Sequence, residues 1–326
     1  MIQDYDKMKI CITGGSGMVG SCIKDIANNY PCYEFVFLNG RYGINLENRD
    51  AVMRNFKENK YDAIIHLAAN VGGLYKNMDK NVEMFNSNIK INQNVLEASN
   101  ECNINRGIFC LSSCIYPANP EKFPMDETMI HSGPPHHSNS GYAYAKRMLE
   151  VQCRNYNNAY GREYICVVPV NLYGPYDNFD LNDGHLIPMV MHRFHNNLQN
   201  DDKSFVAYGT GTPLRQFLYA PDFARIICEV LLGDRYDSTE PIICCNDVEL
   251  PITDVIETIA NVMNIPTKYL SWDTTKSDGC LRKTVSNKKF KHMYPEFKFT
   301  ELHDGLIETY KWFYNYKSNG SRIKII

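Results

Sequence analysis

The chain has 326 residues, 44% of them hydrophobic and 22% charged, which excludes a disordered, collagenous or coiled-coil protein. Its 34 Lys and Arg against 37 Asp and Glu leave a net charge of −3, so no broad nucleic-acid-binding face is expected, while a local basic pocket stays open. No apolar run reaches the ~18 residues of a membrane span, and the polar, acidic start Met1-Ile2-Gln3-Asp4-Tyr5-Asp6 is not expected to act as a secretion signal.

The first half alternates strand and helix signals. A short apolar run at 9–13 stops at Gly14-Gly15, and a helical pattern follows from Met18 to around Asn29. A second run occupies 34–38, and residues 48–59 carry Val52, Met53 and Phe56 at helical spacing. A third strand is expected at 62–67, then a long helix over 81–102 with Met84, Ile91, Val95 and Leu96 on its apolar face. A strand at 107–111, a helix at 142–160 and a strand at 164–168 complete the series. Continuous apolar runs of this length, separated by helices, predict strands buried on both faces of a parallel sheet. Right-handed crossovers then give an α/β fold of the doubly wound, Rossmann type.

After Pro169 the rhythm loosens. Turn signals at Tyr173-Gly174-Pro175 and Asn182-Asp183-Gly184 separate short strands (205–208, 241–244) from helices (221–232, 252–263, 302–316). The expectation is a nucleotide-binding domain over 1–170 and a smaller mixed α/β lobe over 171–326, with some segments of the latter returning to the sheet.

The turn after the first strand is the first candidate site. Gly14, Gly17 and Gly20 stand at G-x-x-G-x-x-G spacing within Gly14-Gly15-Ser16-Gly17-Met18-Val19-Gly20. Between a strand and a helix, such a loop brings backbone N–H groups and a helix N-terminus to a pyrophosphate; the plain alternative is an ordinary Gly-rich turn. At the end of the second strand, Leu38-Asn39-Gly40-Arg41 lacks the acid that binds a ribose 2′-hydroxyl. Arg41 suits a 2′-phosphate, favouring NADP over NAD, unless it is simply a solvated surface residue.

Tyr142 and Lys146 lie four apart on one predicted helix face, where an ammonium group is expected to lower the phenol pKa and fit it for proton transfer. Tyr144, two residues from Tyr142, is expected to face elsewhere. Ser112 and Ser113 follow the fourth strand, at the sheet edge where doubly wound folds place ligands. Ser112 is suited to hydrogen-bond a carbonyl oxygen.

With the glycine loop and this order along the chain, the sequence resembles the extended short-chain dehydrogenase/reductase family. Within it, several segments are similar to the GDP-L-fucose synthase family. These are Leu67-Ala68-Ala69 with Val71-Gly72-Gly73-Leu74, Ser112-Ser113-Cys114-Ile115-Tyr116-Pro117, the run 171–179 beginning Asn171-Leu172-Tyr173-Gly174, Asp183-Gly184-His185-Leu186, Tyr208-Gly209-Thr210-Gly211-Thr212-Pro213 with Arg215, and Lys276-Ser277-Asp278-Gly279. The similarity runs from about Lys9 to Tyr314. It implies that GDP-4-dehydro-6-deoxy-D-mannose is epimerised at C3 and C5 and then reduced at C4 with NADPH, giving GDP-L-fucose. The C3 and C5 protons are acidic because the C4 carbonyl stabilises an enolate.

On this resemblance Cys114 and His185 match the epimerisation base and acid. A thiol beside a cationic Lys or His can be thiolate at neutral pH, and His suits either direction of proton transfer. Ser112 and Tyr142 would hold the C4 oxygen, and Lys146 would also bind the nicotinamide ribose. Further cofactor contacts are implied at Leu67, Ala68, Ala69, Pro169, Asn171, Leu172 and His185. Substrate contacts are implied at Ser113, Asn171, Arg193, Tyr208, Arg215, Asp278 and Lys283, with Arg215 and Lys283 suited to the diphosphate. Some family members carry Thr-Pro where this chain has Cys280-Leu281. A homodimer through a four-helix bundle, built from helices 81–102 and 142–160, is also implied.

The chain holds twelve cysteines and no C-x-x-C pair, so a zinc site is not expected. Apart from Cys114 they are expected to be buried thiols of a reducing, cytoplasmic compartment. Two alternatives share the scaffold: a sugar-nucleotide 4-epimerase or 4,6-dehydratase that holds NAD and returns the hydride, and a non-catalytic NADP-binding sensor.

Overall fold

In the computed structural model, which describes residues 7–40, 43–235, 237 and 239–318, the five apolar runs of the first half become strands. These are β1 (Met8–Thr13), β2 (Tyr33–Phe37), β3 (Ala63–His66), β4 (Arg106–Cys110) and β5 (Glu163–Pro169). The helices between them are α1 (Met18–Ile26), α2 (Arg49–Asn59), α3 (Leu74–Asp79), α4 (Asn81–Glu101) and α5 (Ser140–Tyr160). Local chemistry sets their ends: the Asn48 side chain accepts from the Ala51 N–H at 3.0 Å to start α2. Gly161, in the left-handed region at φ 64°, ends α5.

The later chain adds β6 (Asn171–Tyr173), α6 (Leu186–Gln199), β7 (Phe205–Tyr208), β8 (Leu214–Arg215), β9 (Phe217–Tyr219) and α7 (Ala220–Leu232). It continues through β10 (Ile242–Cys244), β11 (Leu250–Pro251), α8 (Ile252–Val262), β12 (Leu270–Asp273), α9 (Lys288–Met293) and α10 (Leu302–Ser318). The sequence pattern did not reveal α3, α9 or the strands β6, β8, β9, β11 and β12. Strands of two to four residues are too short to show a period of two, and α3 and α9 span fewer than two turns.

The main sheet has six strands in the order β10-β5-β4-β3-β1-β2, with every pairing parallel. The chain steps from β1 outward to β2 and then back across β1 to β3. This reversal opens a crevice beyond the C-terminal ends of β1 and β3, the place where open α/β sheets bind ligands. β10 shows that the later chain returns to the sheet, with α7 and Phe290 of α9 in the same core.

Two apolar cores result. The first is centred on the sheet, with Ile12, Ile65, Val95, Ile108, Ile165 and Val167 buried beside Ile226 and Ile243. The second joins Phe179, Phe194, Phe205, Ile256, Ile259 and Phe313, where the Phe179 and Phe313 rings stack at 4.4 Å. Truncating one such side chain costs about 3–5 kcal/mol. The short parallel pair β6-β9 lies where the two cores meet, with Leu218 in the first and Tyr173 in the second.

Among the described residues no helix is long and apolar enough to cross a membrane, and no group of three or more His, Cys, Asp or Glu is gathered around a metal-sized site.

Candidate active site

The crevice begins at the loop after β1. Gly14 adopts φ +70°, and a Cβ there would fall 2.8 Å from the Ala68 nitrogen; one at Gly20 would fall 2.7 Å from the Gly14 oxygen. The loop can thus lie against Leu67–Ala69, with α1 packed on it, only with glycine at these positions. Gly15 N–H donates to the Leu38 carbonyl at 3.0 Å and Gly17 N–H to that of Gly14 at 2.9 Å. The Ser16 hydroxyl donates to Asn39 Oδ1 at 3.3 Å, tying the loop to the end of β2. Gly17 is the N-cap of α1 and offers no side-chain acceptor, so the first N–H groups of the helix are left for an anion, while Met18 and Val19 pack inward. These features fit a dinucleotide pyrophosphate. Arg41, expected to meet a 2′-phosphate, lies outside the described residues.

A buried polar chain passes behind this loop. Thr13 Oγ1 bonds His66 Nδ1 at 2.7 Å, and His66 Nε2 bonds Asn92 Oδ1 at 3.1 Å. Asn92 Nδ2 in turn donates to the Ala145 carbonyl at 3.4 Å, between Tyr142 and Lys146 on α5. Burial, aided by the Lys146 charge, pushes the His66 pKa down to about 3, so the ring is neutral. With the Asn92 oxygen accepting, Nε2 carries the proton and Nδ1 accepts from Thr13. The sequence reading placed His66 in a strand and gave this chain no role. A polar side chain closing an otherwise apolar strand was the available signal.

The chemistry-bearing residues gather where β4 ends. Ser112 is extended, and its Oγ accepts from the Cys114 N–H at 3.4 Å; residues 113–115 then form one tight 3₁₀ turn. Ser113 and Cys114 are buried. Tyr142 and Lys146 reach the same place from α5. The Lys146 ammonium, itself buried, donates to the Cys110 carbonyl at 2.7 Å and lies 5.9 Å from the centre of the Tyr142 ring. Two of its three protons remain for other acceptors.

The titration directions correct the expectation from sequence. Tyr142 is raised well above a normal phenol by burial and by the Cys114 and Cys110 thiols, rather than lowered by Lys146. Lys146 is itself lowered by burial. Cys114 is raised by burial, against the pull of Lys283, the Ser112 hydrogen bond and Lys146. The resting site therefore holds a thiol rather than a thiolate, because desolvation outweighs the neighbouring cations. The expectation for the other cysteines also needs correction: Cys32 is exposed, and Cys102 and Cys110 are half-buried.

His185 stands on the opposite lobe, as the N-cap of α6, and its partners are carboxylates rather than Cys114. Burial within the cleft disfavours its charge, yet Asp177 and then Asp183 outweigh that and raise its pKa. Its Nδ1 lies 4.0 Å from Asp177 Oδ1, and its side chain keeps 52% of its surface open to solvent. Asp177 is buried, with Oδ1 accepting from the Asn178 N–H and Oδ2 left without a protein partner. Asp183 pairs with Lys76 at 3.3 Å, and the Gly73 N–H donates to its carbonyl, which fastens the 71–73 loop to the segment leading into His185. Both acids fall inside the similar segments, Asp177 within 171–179 and Asp183 beside Gly184-His185, where spacing alone points to no partner.

The remaining predicted residues are spread over β5, β6, α6, β7, β8 and the loop segments that follow β12. Both terminal nitrogens of Arg193 are buried without a partner, and its guanidinium lies 4.0 Å from the centre of the Tyr208 ring. A buried cation with spare donors is suited to an anionic group. Arg215 donates to the carbonyls of Leu214 and Cys280. Lys283 is lowered by burial, held up by Cys114 and pushed down by Arg215, which puts these groups within one electrostatic neighbourhood. Asp278 spends its carboxylate on the chain itself, accepting from Thr210 N–H at 2.7 Å and Thr210 Oγ1 at 2.8 Å, so it shapes the 209–212 turn beside Tyr208. Asn171 is exposed at the start of β6 and donates to the Gln216 carbonyl at 2.8 Å; Leu172 follows it half-buried, and Pro169 closes β5.

Comparison with known proteins agrees with this geometry. The profile of the NAD dependent epimerase/dehydratase family matches residues 10–242. The chain is 40% identical over 316 residues to the GDP-L-fucose synthase of Dictyostelium discoideum, covering 96% of this chain and 97% of that protein. To the GDP-L-fucose synthase of Escherichia coli K12 it is 33% identical over 314 residues, covering 94% and 97%. The crystal structure of a GDP-L-fucose synthetase from Naegleria fowleri bound to NADP superposes with a TM-score of 0.87 at 34% identity, covering 98% of this chain and 97% of that one.

Proposed function

Because the chain belongs to the GDP-L-fucose synthase family within the NAD dependent epimerase/dehydratases, we propose a division of labour among its residues for the activity of that family. The protein is an NADPH-dependent epimerase and reductase that converts GDP-4-dehydro-6-deoxy-D-mannose to GDP-L-fucose. When bound, NADPH supplies the hydride that reduces C4. In our reading Gly14 to Gly20 and the N-terminus of α1 hold its pyrophosphate, and Lys146 donates to its nicotinamide ribose.

Cys114, in its thiolate form, takes the proton from C3 or C5 as the enolate forms and becomes the thiol. Ser112 and Tyr142 donate hydrogen bonds to the C4 oxygen and hold the enolate charge. His185, its pKa raised by Asp177, delivers a proton in its imidazolium form from the opposite wall of the cleft. Once both centres are inverted, Tyr142 gives its proton to the C4 alkoxide. Its resting pKa suits a donor, since burial keeps the phenol protonated. Arg193, Arg215 and Lys283 meet the diphosphate, with Tyr208 and Ser113 completing the substrate contacts.

The observation that carries this reading is the meeting of Ser112, Cys114, Tyr142 and Lys146 at the end of β4, with Lys146 tied to Cys110. It is tested by NMR identification of the product formed with NADPH. The expected product is GDP-L-fucose, with one NADPH consumed per molecule. A product that keeps its 4-keto group, or turnover without net NADPH use, would overturn it.

We place the boundary between the lobes near residue 170. A homodimer formed by α4 and α5 is supported by Val82, Phe85, Tyr144 and Met148, which leave apolar surface exposed on those helices. Sedimentation checks it: Tyr144→Glu is expected to give a monomer. A reducing, cytoplasmic setting is supported by twelve cysteines, none of them paired.

A further inference from the structure

The turn that carries Cys114 is very short, and a 3₁₀ turn of three residues has little hydrogen bonding of its own. Two backbone bonds close it, Ile115 N–H to the Ser112 carbonyl at 3.1 Å and Tyr116 N–H to the Ser113 carbonyl at 3.4 Å. Its N-terminal end is capped by Ser112 Oγ. Its C-terminal end exposes the Ile115 carbonyl to a buried, apolar surround: Ile115 is fully buried and Tyr116 nearly so. The group that takes this carbonyl is the guanidinium of Arg147. Nε donates at 3.0 Å and Nη2 donates to the same oxygen.

Arg147 is itself buried, an unusual place for a guanidinium, and the Tyr144 ring covers it at 5.5 Å. It follows Lys146 directly in α5, and Lys146 holds the Cys110 carbonyl. Two successive cations of one helix therefore grip the two ends of the segment from Cys110 to Ile115. Lys146 holds the end near the C4 chemistry, and Arg147 holds the end beyond the thiol.

We propose that Arg147 is a positioning residue for Cys114: by fixing the Ile115 carbonyl it sets where the thiol stands relative to C3 and C5. It touches no substrate in this role. The proposal rests on the reading of Cys114 as the epimerisation base. It separates two halves of the reaction, because proton exchange depends on the thiol's placement while redox chemistry at C4 depends on Ser112, Tyr142 and Lys146.

The test uses the full-length protein and two readouts. One is solvent-deuterium incorporation at C3 and C5 of the keto substrate with NADP⁺ present, followed by NMR. The other is single-turnover oxidation of GDP-L-fucose at C4 by NADP⁺, followed as NADPH absorbance. Arg147→Met is expected to slow exchange about 10- to 100-fold, the scale of an ångström-sized misplacement, while C4 oxidation changes about twofold or less. Arg147→Lys, which keeps the charge and one donor, is expected to recover part of the exchange and serves where the Met variant folds poorly.

Equal losses in exchange and oxidation, or exchange at the wild-type rate in both variants, would overturn the proposal. Cys114→Ser is run alongside. If that variant exchanges like wild type, the reading of Cys114 itself fails; if it is slow while both Arg147 variants exchange normally, only the role of Arg147 fails.

Discussion

The two groups proposed to transfer protons sit in opposite environments. Cys114 is a buried thiol at the end of a sheet strand, and desolvation keeps it neutral against Lys283 and Lys146. His185 is half-open at the head of α6, and two carboxylates raise its pKa despite the cost of burial. Both groups therefore titrate above their ordinary values, the thiol because of burial and the imidazole because of its carboxylate neighbours. A base must be deprotonated while its partner acid is protonated, so the activity profile reports both pKa values.

The most severe way to break the contrast is to remove the thiol. Cys114→Ser is expected to slow deuterium exchange at C3 and C5 by about 100-fold or more, the scale of a lost general base. C4 oxidation of GDP-L-fucose should fall far less. Equal losses in the two assays would show that Cys114 supports the site's structure rather than its proton transfer.

Lys283→Met sharpens the same side. Lys283 is the leading influence pulling the Cys114 pKa down. Its loss leaves burial less opposed, so the pH at which the thiolate forms moves upward. Below that pH the thiolate fraction falls tenfold per unit. Alkylation of the Cys114 peptide, measured by mass spectrometry across pH, is therefore expected to shift to higher pH. Substrate KM should rise as well, through loss of the proposed diphosphate contact.

Asp177→Asn tests the other side with a smaller effect. The carboxylate raises the His185 pKa, so the donor form persists to higher pH in wild type. In the variant the protonated fraction of His185 is expected to fall away at lower pH, costing a few-fold in epimerisation rate near neutrality. The stability effect carries the same sign. A raised folded pKa contributes stability that is full below the ordinary His value and disappears as pH rises through the folded value. The Tm gap between wild type and Asp177→Asn should thus be widest in mild acid and close on the alkaline side. A gap that widens with pH would contradict the pairing.

The contrast also explains what could be read from sequence. The sheet was legible because its strands are buried on both faces and appear as unbroken apolar runs. Gly14, Gly17 and Gly20 were legible because spacing alone encodes a turn. Residue identity marked Ser112, Cys114, Tyr142, Lys146 and His185. Their protonation states were not legible, because these depend on how much water the fold removes and on which charges arrive from distant segments. Lys283 reaches Cys114 across about half of the chain's length, and Asp177 meets His185 by a bend in a segment without periodicity. The short strands β8 and β11 are defined by pairing across the fold, with each other and, for Leu214, with Arg282.

The smallest expected effect lies in the chain from Thr13 to Ala145. Thr13→Val keeps the shape but removes the donor to His66 Nδ1 and the acceptor for the Ala68 N–H at 3.3 Å. A buried hydrogen bond lost in this way costs about 1–3 kcal/mol. Because Ala68 lies against Gly14, part of that cost should appear as a few-fold weaker NADPH affinity, measured by fluorescence titration. With His66 held neutral down to about pH 3, neither partner of this bond changes charge in the working range. The loss should therefore be the same from mild acid to mild alkali, unlike that of Asp177→Asn. An affinity loss in Thr13→Val that varied with pH would mean that His66 titrates in the folded protein, and that the polar chain behind the phosphate loop carries charge rather than only fixing position.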